Sequence, residues 1–342
     1  MEIKTELLSS SDEDIKKAAG IIKHGGVVGM PTETVYGLAA DAADSKAVEK
    51  IFIAKGRPQD NPLIVHIADI SDFERYGCEI PDTAYILAES FWPGPLTMVV
   101  KKRDIIPDTT SGGLDTVGIR FPVHPAAQKL IRESGTALAA PSANLSGSPS
   151  PTTAQDVMKD MSGRVPAVID GGSCPVGVES TVVCFENGNV KILRPGFVSG
   201  EDIGGVIGSK GLKVLYAHGI TEEIAAGEKV LSPGMKYKHY SPKANVTLIR
   251  GGIEGFTEYV GRHDGSGTYS MIFDRDADGF PYRYIPYGDT SEEQARALFR
   301  ALRHADELGA KQVYVRCPDI SGVGLAVYNR LLRAAAFEEV QV

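Results

Sequence analysis

Cysteine is scarce in this chain of 342 residues: four, at Cys78, Cys174, Cys184 and Cys317, with no C-x-x-C pair. That spacing argues against a zinc site or a redox pair. Four thiols in a chain this long make no disulfide scaffold either, so reduced thiols in a cytosol are expected. Long apolar runs are missing too. No stretch reaches membrane-spanning length, and Met1 to Lys17 is polar, with mixed charge and no apolar core of signal-peptide type. A soluble, cytoplasmic protein is expected. Positive charge is in deficit: 36 Lys and Arg face 44 Asp and Glu, a net charge of −8. This argues against a protein held on nucleic acid by bulk attraction, while leaving a local basic groove open. Familiar catalytic signatures are absent as well: no G-x-x-x-x-G-K-[ST], no G-x-G-x-x-G, no H-E-x-x-H and no G-x-S-x-G. A nucleotide, if bound, must be held by another route.

What is present is an alternation of helix and strand patterns. Asp12 to Lys23 reads as a helix with Ile15, Ala18, Ala19 and Ile22 on one face, and Ser45 to Ala54 as another with Gly56 as its stop. Thr153 to Asp156 resembles a capping box opening a helix to about Met161. Strand candidates are Val27 to Met30, Leu63 to Ile67, Leu96 to Val100, Val117 to Phe121, Ala137 to Ala140, Val165 to Ile169, Thr181 to Phe185 and Val190 to Leu193. Residues 1–200 therefore read as one α/β domain on a large, twisted, mixed sheet. The glycine-rich and weakly periodic stretch 201–243 reads as a linker. From 244 to 342 the alternation returns: strands Val246 to Ile249, Tyr269 to Phe273 and Gln312 to Val315, and helices Ser291 to Leu308 and Leu325 to Ala335. This makes a second, smaller α/β domain.

Several segments could carry chemistry. Pro31-Thr32-Glu33-Thr34-Val35-Tyr36-Gly37 follows a strand directly, where open α/β sheets gather ligands; the alternative is a turn whose hydroxyls bond its own backbone. Lys55-Gly56-Arg57-Pro58 puts two cations around a glycine just past a helix end, followed by Asn61-Pro62. A stiff cationic loop suits a polyphosphate, but Lys55 could equally complement the helix dipole. His66 lies inside an apolar strand, where a hydrogen-bonded core residue is the ordinary outcome. Arg120, also inside an apolar strand, demands either a buried carboxylate of the protein or a ligand's carboxylate or phosphate. Pro141-Ser142-Ala143-Asn144 closes another strand, with Ser146, Ser148 and Ser150 behind it. Glu179-Ser180-Thr181 and Leu193-Arg194-Pro195-Gly196 add a hydroxyl and a cation at strand edges.

In order, PTETVYGL (31–38), KGRP with NPL (55–58, 61–63), FWPGPLT (91–97), VGIRFP (117–122), APSAN (140–144), ESTVV (179–183) and LRPG (193–196) resemble the YrdC family of threonylcarbamoyl-AMP synthases. SPGMKYKHYSP (232–242) and the terminal α/β unit resemble the family's long, two-domain branch. The chain lacks the paired-cysteine zinc modules of the related hydrogenase-maturation carbamoyltransferases.

The resemblance implies a twisted α/β sheet with a concave, positive face and a smaller Rossmann-like accessory domain. It also implies a linker folded over the cavity as a lid. The implied reaction makes threonylcarbamoyl-adenylate from L-threonine, bicarbonate and ATP with release of pyrophosphate. The product would supply a downstream transferase complex that makes N6-threonylcarbamoyladenosine at position 37 of tRNAs reading ANN codons, with a direct tRNA contact left open. Lys55, Arg57 and Arg194 are implied at the ATP phosphates, with Ser142, Asn144 and Ser150 as polar contacts and Asn61 and Thr116 also on the nucleotide. Lys55, Arg57, Ser142 and Asn144 form the implied catalytic group. Arg120 is implied to pair with the threonine carboxylate, with Thr34, His66, Ala140 and Ser180 around the amino acid. Tyr237 and His239 are implied lid contacts to the nucleotide. Mg2+ is expected on the phosphates, with no metal site in the protein itself. The rivals are a double-stranded RNA or tRNA-binding module without turnover, a carbamoyl-phosphate-dependent transferase, and a nucleotide sensor.

Overall fold

The structure, a computed structural model, describes residues 3–59, 61–222 and 240–342. Among these, twelve strands form one mixed sheet. From one edge the order is Glu6–Leu8, Ala167–Ile169, Val28–Met30, Gly37–Asp41, Leu138–Ala139, Ile64–His66, Thr116–Arg120, Leu96–Lys102, Thr181–Glu186, Asn189–Arg194 and Val214–Tyr216, with Gly77–Cys78 beside Leu96–Lys102. Parallel and antiparallel neighbours alternate irregularly along it. Helices form where the apolar spacing and caps coincide. Ser11 accepts from the Asp14 N–H and opens Asp12–Lys23, which buries the predicted face of Ile15, Ala18, Ala19 and Ile22. Asp44 caps Ser45–Lys55 and the Thr153 hydroxyl caps Ala154–Met161. No described helix is long and apolar enough to cross a membrane.

The register of the central strands matters most for function. His66 pairs with Arg120, Arg120 with Thr97, Thr97 with Val182, and Val182 with Arg194. Paired residues on neighbouring strands project to the same face. At about 4.8 Å per strand this row runs on the order of 19 Å, and it carries an imidazole and two guanidiniums on one side of the sheet.

Segment 201–243, expected to be all linker, contains regular structure. Helix Gly200–Ile207 starts with a full capping box from Ser199 and Asp202, and Val214–Tyr216 pairs in parallel with Asn189–Arg194 at the sheet edge. Gly200, Gly204 and Gly205 dilute the helical pattern there, which is why it reads as loop. Tyr237 and His239 lie outside the described residues.

The second sheet is wholly parallel, ordered Tyr284–Pro286, Thr268–Ile272, Gln312–Arg316, Asn245–Arg250, Glu339–Gln341. Ile253–His263, Ser291–Glu307 and Gly324–Ala334 are its helices. Its apolar core is not closed on itself. Val35, Val176 and Val178 of the first domain share one cluster with Leu298, Phe299, Val327 and Leu331 of the second. Burying a valine contributes about 1.5–3 kcal/mol, so three of them fix the docking firmly. Arg303 adds a largely buried pair with Asp160 at 2.7 Å across the same boundary.

Candidate active site

The strand ends on the row just described converge on a cavity lined by Thr34, Lys55, Arg57, His66, Arg120, Ala140, Ser142, Asn144, Ser180 and Arg194. Each reaches it for a local reason. The 31–36 turn is held by its own hydroxyls: Thr32 Oγ1 donates to the Val35 carbonyl at 2.7 Å and accepts from the Thr34 N–H at 3.2 Å. The segment is thus a turn whose hydroxyls bond its own backbone, and Thr34 also accepts from Arg120 Nη1 at 2.9 Å. Gly56 ends the preceding helix in the left-handed conformation, φ 65° and ψ 37°, where a Cβ would be strained. The turn it makes lets both Lys55 and Arg57 line the cavity.

Lys55 is only 3% exposed, too buried to serve as a mere dipole complement. Its Nζ donates to the carbonyls of Ser142 and Asn144, with Asn144 Oδ1 at 3.4 Å. Burial pushes its pKa well below the ordinary amine value, and the Arg57 charge adds to that. The ring of oxygens favours the ammonium, so Lys55 staples the 142–144 loop while presenting charge to the cavity.

Arg120 finds a protein partner: Nη2 donates to Glu33 Oε1 at 2.6 Å, with both side chains almost fully buried. Glu33 Oε2 and Arg120 Nε have no hydrogen-bond partner among the described residues. His66 beside it is buried, with Nδ1 at 3.2 Å from the Ile64 carbonyl. Burial, and then the Arg120 charge, push its pKa down to about 3, so the ring is neutral at physiological pH. Arg194 is held by Ser180: Nε and Nη2 donate to its carbonyl at 3.2 and 2.9 Å, and Nη2 to its hydroxyl at 3.2 Å. Ser180 Oγ in turn lies 2.8 Å from Thr97 Oγ1, a residue of the sheet row. Burial lowers the Arg194 pKa to about 10, which leaves it a cation.

Three of the expected nucleotide contacts, Asn61, Thr116 and Ser150, are not among the residues that line this cavity. Ser150 is fully buried and its hydroxyl donates to Glu179. Asn61 is 4% exposed, with Nδ2 unpartnered among the described residues, and its neighbour Pro62 lines the cavity instead. Thr116 opens the strand that Arg120 closes, and lines a small adjoining cavity with Pro62, Leu63 and Ile64.

Lining residues beyond the expected contacts include Glu179 and Tyr240. Glu179 precedes Ser180 and faces the cavity. Tyr240 also lines it, with φ 63°, an unusual value for a bulky residue and the kind of strain that collects at functional sites. Its signal lay in the quoted 232–242 segment, one residue beyond His239. Among the described residues no group of three or more His, Cys, Asp or Glu is placed to hold a metal ion.

Two family models cover the chain: a Sua5/YciO/YrdC model described as "Telomere recombination" over residues 20–196, and "Threonylcarbamoyl-AMP synthase, C-terminal domain" over residues 198–336. The threonylcarbamoyl-AMP synthase of Pyrococcus abyssi is 43% identical, with 96% of each chain covered. That of Bacillus subtilis is 42% identical over 97% of this chain and 95% of its own. The crystal structure of P. abyssi Sua5 complexed with L-threonine superposes with a TM-score of 0.91 at 40% identity, over 99% of this chain and all of that one.

Proposed function

The chain belongs to the family of threonylcarbamoyl-AMP synthases, and from that premise we propose that it condenses L-threonine, bicarbonate and ATP into threonylcarbamoyl-AMP and pyrophosphate at the cavity above. The observation that carries this is the sheet row. It sets a cation for a carboxylate, Arg120, beside neutral His66, and a second cation, Arg194, two strands beyond Thr97. Lys55 and Arg57 face the same space from the 55–57 turn.

The free α-amine of threonine bonds to the carbon of bicarbonate with loss of water, giving an N-carboxylate. One carboxylate oxygen attacks the α-phosphorus of ATP, the α–β phosphoanhydride bond breaks, and pyrophosphate leaves. Every participant is anionic, so the work is charge stabilisation and positioning, without a protein nucleophile. Arg120 receives the threonine carboxylate through the edge not spent on Glu33, with Thr34, His66, Ala140 and Ser180 around it. Lys55, Arg57 and Arg194 hold the phosphates, with Ser142 and Asn144 beside them. Ser150 acts from behind, through Glu179. Asn61 and Thr116 border the nucleotide end, and their unpartnered buried polar atoms suit a ligand there. Mg2+, carried by the ATP phosphates, would add Lewis-acid charge at the leaving group. The product is a hydrolysable mixed anhydride, which fits consumption by a tRNA-modifying transferase.

The test is isotopic. With 13C-bicarbonate, L-threonine and ATP, the labelled carbon should appear in a species bearing both AMP and threonine. A label that stays in bicarbonate while folded protein binds RNA would instead favour the nucleic-acid-binding alternative.

A further inference from the structure

Helix Gly324–Ala334 of the small domain buries three polar side chains, Asn329, Arg330 and Arg333, and turns them toward the first domain and the segment that follows it. Asn329 Nδ2 donates to the Ile220 carbonyl at 2.6 Å and Arg333 Nη2 to the Gly219 carbonyl at 2.8 Å. Arg330, with no exposed surface at all, goes deepest. Its Nε donates to Glu179 Oε2 at 3.0 Å, its Nη2 to the Glu179 carbonyl at 3.4 Å, and its Nη1 to the Pro195 carbonyl and to Asn329 Oδ1. Its guanidinium carbon also lies 5.9 Å from the centroid of the cavity-lining Tyr240 ring.

We propose that Arg330 is a positioning residue of the active site supplied by the small domain, fixing the Glu179–Ser180 and Arg194–Pro195 segments together; this rests on the function proposed above. A buried guanidinium is costly unless its donors are matched, and as a stability device a buried ion pair is no better than apolar packing. What the planar fork supplies is direction: it joins two neighbouring segments by their carbonyls, a geometry a lysine cannot copy. On the cavity side of the same segments, Arg194 bonds the Ser180 carbonyl and hydroxyl. Glu179 thus lies between two guanidiniums. Burial alone would raise its pKa, but Arg330, Arg194 and the Ser150 hydroxyl outweigh burial and keep it ionised. Without Arg330 the strap behind Ser180 and Arg194 is gone, and one threonine-side group and one phosphate-side group lose their alignment together.

The test uses full-length Arg330→Met, Arg330→Lys and, as an interface control, Arg296→Ala, whose native side chain is exposed and donates to the Pro175 carbonyl at 3.0 Å. Thermal melting is measured beside pyrophosphate release with each substrate varied. A positioning role predicts that KM for L-threonine and for ATP both rise about tenfold in Arg330→Met, with Arg330→Lys between it and wild type. Arg296→Ala should alter melting only. Folded Arg330 variants with wild-type KM for both substrates would overturn the proposal, and if Arg330→Met does not fold, Arg330→Lys decides by the same criterion. Absence of turnover in wild type would instead count against the function, a separate outcome.

Discussion

Glu33 holds one edge of the Arg120 guanidinium, and Arg120 Nε has no partner among the described residues, which suits the carboxylate-binding role proposed for it. Replacing it with alanine should weaken L-threonine binding by at least about tenfold, roughly 1.4 kcal/mol, in titration calorimetry. The same change strands Glu33 as a buried charge and should cost about 3–5 kcal/mol of stability. Unchanged threonine affinity in folded protein would remove Arg120 from the carboxylate role. Lys55→Met should behave differently. Pyrophosphate release should fall by roughly 100-fold while threonine affinity stays within about threefold, since the lost charge is one proposed for the phosphates. His66 gives a pH signature. Its folded pKa of about 3 lies below the unfolded 6.5, so the unfolded chain binds the extra proton between those values. The stability it contributes is fully present above pH 6.5 and is lost as pH falls toward 3. His66→Gln should therefore flatten the acid limb of a stability–pH curve by up to about 1.4 kcal/mol per pH unit within that window.

Among the elements, the turn that follows Asn189–Arg194 lies tightly against the start of Thr181–Glu186. A Cβ at Gly196 would stand 2.2 Å from the Thr181 nitrogen and 2.5 Å from the Ser180 carbonyl carbon. Both obstacles are backbone, so Gly196→Ala should cost about 1–3 kcal/mol and displace Ser180. Lowered melting together with weakened threonine binding would be the result; normal binding would show that Ser180 stays put.

Much of this architecture was legible in sequence because its signals are local. The apolar face of Asp12–Lys23 needs only the 3.6-residue period. Helix Asp82–Phe91 gave a weaker signal, since it has no side-chain cap. The strand Gly37–Asp41 has too few bulky or β-branched residues to announce itself. Arg120 signalled a buried anion, but Glu33 as that anion depends on a pairing 87 residues apart, which no local pattern carries. Ser150 illustrates the converse, since whether its hydroxyl faces the ligand or Glu179 is decided by tertiary placement.

At the scale of the whole molecule, two sheets share one apolar cluster through Val35, Val176 and Val178, and Val35 itself lines the candidate site's cavity. The domains should therefore unfold together, as a single calorimetric transition with matching van't Hoff and calorimetric enthalpies. Two resolved transitions would show that the docking is weaker than the packing implies. Shape and charge also bear on the rival RNA-binding reading. Lys55, Arg120 and Arg194 are each at least 94% buried, so these cations suit a small enclosed anion better than a nucleic-acid backbone.

The central claim is tested most directly by pyrophosphate release from ATP in the absence of tRNA, with L-threonine and bicarbonate added separately and together. Release that requires both, with serine and valine as poor substitutes, is the predicted result. No release under any combination from folded protein would contradict the claim.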